Sequence, residues 1–159
     1  MQQKNLTDNM AEFWETNFRE KQEMWGWEPA DSALQTVELF KRYGLNSILI
    51  PGFGYGRNAK LFLDAGFNVS GIEIAQSAID LARANGIQCP IYNGSVTDMP
   101  FDNNIYDGIF CYALIHLLNK AKRRIFLDAC YQQLKPGGIM VFTVISTQTN
   151  DYRKGKLIS

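Results

Sequence analysis

The chain of 159 residues has no surplus of either charge: 16 lysines and arginines stand against 16 aspartates and glutamates. Nucleic-acid binders usually carry a basic excess, so this balance argues against a generic one. Cysteine is scarce. Cys89, Cys111 and Cys130 are odd in number, widely spaced and without a C-x-x-C pair. Neither a disulfide framework nor a zinc site is expected, and a reducing cytoplasm fits best. His116 is the only histidine, which weakens any metal hypothesis further. No apolar run approaches the roughly 18 residues that a membrane span needs, and the polar N-terminus has no signal-peptide core. The expectations are a cytoplasmic protein, no metal, no membrane and no nucleic acid. Basic residues do gather at Lys120, Lys122, Arg123 and Arg124, where a solvated helix face is the expected reading.

What is present is an ordinary globular composition, 46% hydrophobic, and a length of about one domain. Residues 8 to 23 have helix-forming character with Phe13, Trp14 and Phe18, and Trp25-Gly26-Trp27-Glu28-Pro29 breaks that helix. Ser32 with Gln35 has the spacing of a capping box and opens a helix with Ala33, Val37 and Phe40 on one face, stopped by Gly44. Strands are expected at Ser47–Pro51, Phe67–Ile74, Ile87–Tyr92, Tyr106–Tyr112 and Ile139–Ile145. Helices are expected at Asn58–Ala65, Gln76–Asn85 and Lys120–Leu134. Parallel strands require such crossovers. The pattern predicts an α/β fold, a doubly wound, mostly parallel, Rossmann-like sheet.

The most informative stretch is Ile48-Leu49-Ile50-Pro51-Gly52-Phe53-Gly54-Tyr55-Gly56-Arg57-Asn58. Glycine lets a backbone turn sharply and approach a ligand, and the first N–H groups of the following helix face that ligand. Strand, glycine loop and helix start make a nucleotide-binding corner. The dinucleotide fingerprint asks for a small residue where Arg57 stands, so NAD is a poor fit. Glu73 lies 73 − 56 = 17 residues past the last glycine, at the end of the second strand. A carboxylate there can accept hydrogen bonds from ribose hydroxyls.

With the loop Asn93-Gly94-Ser95-Val96-Thr97-Asp98-Met99-Pro100-Phe101, then Tyr106-Asp107, and Leu134-Lys135-Pro136-Gly137-Gly138, the chain resembles the class I S-adenosylmethionine-dependent methyltransferases over roughly residues 25 to 145. The resemblance implies that Gly52, Phe53, Gly54 and Gly56 form the loop beside the methionine part of S-adenosylmethionine. It implies that Glu73 binds the ribose and that Ile74 packs on adenine. Ser95 stands where the family often has an aspartate for the adenine amino group. The Val96 N–H would meet an adenine ring nitrogen, and the Cys111 carbonyl the cofactor's amino group. Ile50 replaces an acidic residue common two positions before the first glycine. Ile-Pro-Gly resembles the thiopurine, tellurite-resistance and halide/thiol methyltransferases, and the Trp25 segment resembles their lid.

The implied function is transfer of a methyl group to a small-molecule acceptor by in-line displacement. A sulfonium methyl is already electrophilic, so positioning and exclusion of water carry the reaction, and only a hydroxyl or amine acceptor asks for a base. His116 and Tyr112 are the candidates near the reacting methyl. Trp25 and Trp27 are expected to line the substrate side or to staple the N-terminal helix. Arg57 is expected to be a solvated charge. The expected organisation is one domain over 1–159, with a helical lid at 1–45, a core at 46–147 and a truncated tail at 148–159. Such a tail would leave the family's C-terminal antiparallel hairpin missing and the fifth strand's edge open to a homodimer. The competing readings are a non-catalytic S-adenosylmethionine-binding protein and, more weakly, an NAD-dependent oxidoreductase. A nucleic-acid methyltransferase is disfavoured because Cys111-Tyr112-Ala113-Leu114 lacks the Asn/Asp-Pro-Pro-Tyr pattern.

Overall fold

The computed structural model describes residues 2–149, with side chains from residue 9 onward. Five strands, β1 (Ser47–Pro51), β2 (Asn68–Glu73), β3 (Ile91–Asn93), β4 (Tyr106–Cys111) and β5 (Leu134–Phe142), alternate with helices α1 (Gln2–Lys21), α2 (Asp31–Arg42), α3 (Arg57–Asp64), α4 (Gln76–Ala84) and α5 (Lys120–Gln132). The sheet order is β3-β2-β1-β4-β5, and every pairing is parallel.

Alternation along the central strands divides the core. Ile48 and Ile50 of β1 join Phe40 of α2, Phe62 of α3 and Phe110 of β4 on one face. Leu49 joins Ile72, Ile109 and Phe126 of α5 on the other. Ile48, Phe40, Phe62, Phe110 and Phe126 are fully buried, and each such side chain contributes about 1.5–3 kcal/mol of transfer free energy. α2 therefore belongs to the packed layer, although the expected lid at 1–45 includes it.

Several expected elements shift for identifiable reasons. Ser32 and Gln35 form no capping box. α2 starts at Asp31 without a side-chain cap, and the free N–H of Ala30 is taken instead by Asn58 Oδ1 at 2.9 Å. β3 is shorter than expected because Pro90 has no N–H to give the ladder; its carbonyl accepts from Gly71 N at 2.8 Å. β5 begins five residues earlier than expected and ends at Phe142 rather than Ile145. Its register jumps between Tyr106↔Leu134 and Gly108↔Ile139, so Lys135-Pro136-Gly137-Gly138 loops out of the ladder.

One polar staple fixes the start of three strands. Asp107 Oδ2 accepts from the backbone N–H groups of Asn46 and Ser47 at 2.9 and 2.8 Å, and Asp107 Oδ1 accepts from Lys135 Nζ at 2.8 Å. Burial tends to raise this carboxyl, but the Lys135 and Ser47 contacts outweigh it and hold it well below the usual carboxylate range.

Candidate functional site

The strands β1, β2 and β4 end on the same side, and the loops that follow them enclose a cavity of about 370 Å³. Its floor is the glycine loop. Gly52, Gly54 and Gly56 all have positive φ, at 71, 59 and 87°, a conformation that Cβ-bearing residues resist. A Cβ on Gly54 would meet nothing nearer than Phe18 Cζ at 3.9 Å, and one on Gly52 would approach Leu114 Cδ2 at 3.3 Å. The loop is hung from β2, because Gly52 N and Phe53 N both donate to the Ile72 carbonyl at 2.9 Å. The Phe53 ring turns away into the core.

Glu73 closes the β2 side. Its Oε2 accepts from Gly54 N at 2.7 Å and its Oε1 from Ala75 N at 2.9 Å. Burial raises its pKa against these opposing N–H contacts. One buried carboxylate thus ties glycine loop to strand end while its remaining lone pairs stay available. Asn93 Nδ2 fixes the next turn by donating to the carbonyls of Glu73 and Ile74 at 3.1 and 3.2 Å. Ile74, Gly94, Ser95, Val96 and Thr97 continue the wall. Ser95 caps the 3₁₀ turn Val96–Asp98, accepting from Thr97 N at 3.3 Å, and its hydroxyl lies 2.8 Å from Thr97 Oγ1.

The other walls come from farther away. α1 contributes Met10, Trp14 and Phe18, and Tyr112, Leu114, His116 and Lys122 follow β4. Tyr55, in the glycine loop, is the anchor of the roof. Its hydroxyl donates to the Gly26 carbonyl at 2.6 Å and accepts from Trp25 N at 3.1 Å, while its ring stacks on Trp25 at 6.3 Å and 11°. Glu15 of α1 accepts from Ser77 N at 3.1 Å, docking the helix on the start of α4.

Most residues expected at the site do meet here: Gly52, Phe53, Gly54, Gly56, Glu73, Ile74, Ser95, Val96, Trp25, Tyr112 and His116 all line the cavity. Two do not. Trp27 packs edge-on against Tyr55 at 5.3 Å, behind the wall. Cys111 is fully buried in the opposite core, its carbonyl accepts from Thr143 N at 3.0 Å, and burial pushes its thiol up. The sheet ladder thus engages the carbonyl expected for the cofactor with one N–H, and the wall begins one residue later at Tyr112.

Two charges also differ from expectation. Arg57 is not simply solvated: it donates to the carbonyls of Trp25 and Glu28 at 3.3 and 3.1 Å and lies over the Tyr112 ring at 5.5 Å. Lys122 reaches the cavity instead of belonging wholly to a solvated face. Sequence reasoning gave Tyr55, Asn58 and Asn93 no role of their own; their only signals were that Tyr55 and Asn58 belong to the stretch 48–58 and that Asn93 opens the loop 93–101. Among the described residues no group of three His, Cys, Asp or Glu side chains is placed to hold a metal.

A parallel sheet with a glycine loop, a carboxylate at the end of the second strand and an apolar cleft at the carboxyl ends defines a nucleotide-cofactor domain of the doubly wound class. Residues 49–142, more than half of the chain, match the methyltransferase domain family, and the chain belongs to it. The chain is 28% identical over 116 residues to a ubiquinone biosynthesis O-methyltransferase of Rickettsia canadensis, covering 70% of this chain and 48% of that protein. It is 27% identical over 123 residues to the tRNA N(3)-methylcytidine methyltransferase Mettl2 of Drosophila melanogaster, covering 71% and 36%. The solved structure of S-adenosylmethionine-bound CalS10, an amino pentose methyltransferase from Micromonospora echinaspora, shares the fold at a TM-score of 0.66, with 23% identity over 82% of this chain and 55% of that one. The chain thus spans about half the length of the first of these relatives.

Proposed function

We propose that this domain binds S-adenosylmethionine in the cavity and transfers its methyl group to a small-molecule acceptor. The observation that carries this reading is the convergence of the glycine loop, Glu73 and the 94–97 loop on one cleft. The residues fit the group: an open backbone at Gly54, a buried carboxylate with lone pairs to accept hydroxyl protons, and apolar walls. Gly52 and Gly54 would pass beside the methionine part, Glu73 would accept from the ribose hydroxyls, and Ile74 would cover adenine. Ser95 and the Val96 N–H would meet the adenine edge; Val96 opens a 3₁₀ turn, where N–H groups lack partners within the turn. When bound, S-adenosylmethionine supplies an electrophilic methyl group. This chain's residues then have to hold the acceptor in line and keep water out, which Trp14, Phe18 and Trp25 do by roofing the cleft.

The α1–Trp25 segment is the lid in this proposal, with residues 46–147 as the core; of the expected tail at 148–159, residues 150–159 lie outside the described residues. A small acceptor rather than a nucleic acid is supported by the zero net charge. A cytoplasmic setting is supported by three free, buried cysteines. Among the described residues no helix is long and apolar enough to cross a membrane. β5 pairs only with β4 among the described residues, and Val144 and Ile145 beyond it are exposed; pairing of two copies along that edge is the proposed dimer.

Titration calorimetry tests the reading. Binding of S-adenosylhomocysteine without binding of NAD is expected; NAD binding in its place would overturn it. Cofactor binding with no turnover on a panel of thiols, phenols, amines and halides would favour a non-catalytic cofactor-binding protein.

A further inference from the structure

His116 stands in the turn Ile115–Leu117 and lines the cavity. Its Nδ1 is buried and has no hydrogen-bond partner among the described residues. A neutral imidazole carries one proton, and its surroundings decide which nitrogen holds it. On Nδ1 that proton would be a buried donor with nothing to accept it, which costs the full desolvation of that group and is rarer in folded proteins than an under-satisfied acceptor. The proton therefore belongs on Nε2. A general base acting through Nε2 must instead begin with that nitrogen bare and end as an imidazolium, with Nδ1–H buried and unpaired. The site resists that state.

The surrounding charges point the same way. Arg123 stands beside the ring, donating from Nε to the Ile115 carbonyl at 3.0 Å. Burial first, and this guanidinium second, keep the imidazole below its usual pKa. The ionisable groups that share the cavity are Lys122, Arg57, Glu73, Tyr55 and Tyr112, and the single acid among them, Glu73, is tied to Gly54 and Ala75. Among the described residues no carboxylate is engaged with His116 to stabilise a second proton.

Lys122 raises a related question. α5 begins with Lys120, Lys122 and Arg123 and has no acid in its first turn. Cations at the positive end of a helix are unfavourable. An anion in the cavity would relieve that crowding, and Lys122 lines the same cavity as His116.

We propose that His116 is a hydrogen-bond donor to the acceptor and not its base: Nε2–H and the Lys122 ammonium together hold an anionic oxygen, so the site takes acceptors bearing a carboxylate or a similarly charged oxygen group. This rests on the cavity being the methyl-transfer site. The nucleophile must then be one that needs no proton removed by His116, such as a thiolate.

Because the chain has one histidine, untagged ¹⁵N-labelled protein gives a single imidazole in long-range ¹H–¹⁵N spectra, with no acceptor required. The Nε2–H tautomer is expected, with the imidazole titrating below its ordinary value. An Nδ1–H tautomer, or an imidazolium at pH 6.5 or above, overturns the donor assignment. For the anion, benzoate and benzamide are the probes, titrated with S-adenosylhomocysteine present. Benzoate should bind at least about tenfold more tightly. That preference should fall to near unity in His116→Ala and in Lys122→Met and survive in His116→Gln, whose side-chain N–H can replace Nε2–H. Equal affinities, binding of neither probe, or failure of the Gln variant to retain the preference overturns it. Calorimetry with S-adenosylhomocysteine alone reports separately on the proposed function.

Discussion

Gly71 in β2 supports the glycine loop from beneath. A Cβ added there would lie 2.7 and 2.8 Å from Cγ and Cε2 of Phe53, and closer still to Cδ2. Ordinary contact begins near 3.4 Å, and Cγ is not the far end of a flexible side chain. The ring cannot swing clear without moving the Phe53 backbone, whose N–H is bonded to the Ile72 carbonyl at 2.9 Å. Gly71→Ala should therefore cost about 2–3 kcal/mol from overpacking. Alanine's smaller unfolded-state entropy offsets about 0.4–1 kcal/mol of this. A net loss of about 2 kcal/mol lowers Tm by about 4–8 °C in a chain of this size. The same displacement moves Gly52 and Gly54, so affinity for S-adenosylhomocysteine should fall by about tenfold or more. Thermal and urea unfolding give the first number and calorimetry the second. Phe53→Leu removes the obstructing ring, so the double variant should recover at least about 1 kcal/mol relative to the sum of the single changes. Near-native stability of Gly71→Ala, or full additivity with Phe53→Leu, would refute the reasoning.

The other expectations concern polar ties. Asp107→Asn leaves Lys135 without its carboxylate and weakens the bonds to Asn46 and Ser47; urea unfolding at pH 7 should show a loss of about 2 kcal/mol. Because the folded-state pKa of Asp107 is depressed, its contribution is complete above the unfolded carboxylate pKa near 4 and disappears as pH falls toward the folded value. The gap between wild type and variant should therefore close on acidification, and a gap constant from pH 7 to pH 2 would contradict the staple. Tyr55→Phe removes the bonds to Gly26 and Trp25. It should cost about 1–2 kcal/mol and red-shift tryptophan emission as the Trp25 segment loosens, with unchanged emission counting against its anchoring role. Glu73→Gln offers a single acceptor oxygen to two backbone donors, so S-adenosylhomocysteine affinity should drop by about tenfold or more, and an affinity within twofold of wild type would exclude Glu73 from the cofactor site.

What the chain reveals without coordinates is set by how local the cause is. Strand, glycine loop and helix start are contiguous, so the turn at 52–56 could be read directly. Glu73 was legible because the end of a second parallel strand necessarily returns to the end of the first. The 94–97 loop follows for the same reason: β3 pairs beside β2 in register, with Glu73 opposite Asn93. The position of Cys111 outside the cavity lining and the partner of its carbonyl are non-local facts, the latter being the Thr143 N–H that β5 brings to it. Nothing within residues 106 to 112 encodes that partner. Lys122 failed for a related reason, since a helical wheel shows which residues share a face but not which end of α5 meets the cleft.

The roof over the cavity is the most distant case and the one with consequences for function. Tyr55 sits at a non-glycine position of a loop read for its glycines and Asn58 in the first turn of the helix that follows, yet they bind residues 25–30 across about 30 positions of sequence. The loop that is proposed to cradle the cofactor also holds the segment that covers it. Closure and cofactor contact therefore share one backbone, and a displacement of the loop is transmitted directly to Trp25 through two hydrogen bonds on a single hydroxyl. Trp25 is half-exposed, stacked on Tyr55 and bordering the cavity. With Trp14 and Trp27 replaced by phenylalanine, its emission is the optical reporter for loop position, and it should respond to S-adenosylhomocysteine in that background and respond less once Tyr55→Phe is added. An equal response in both would mean that Trp25 senses the ligand itself and not the loop.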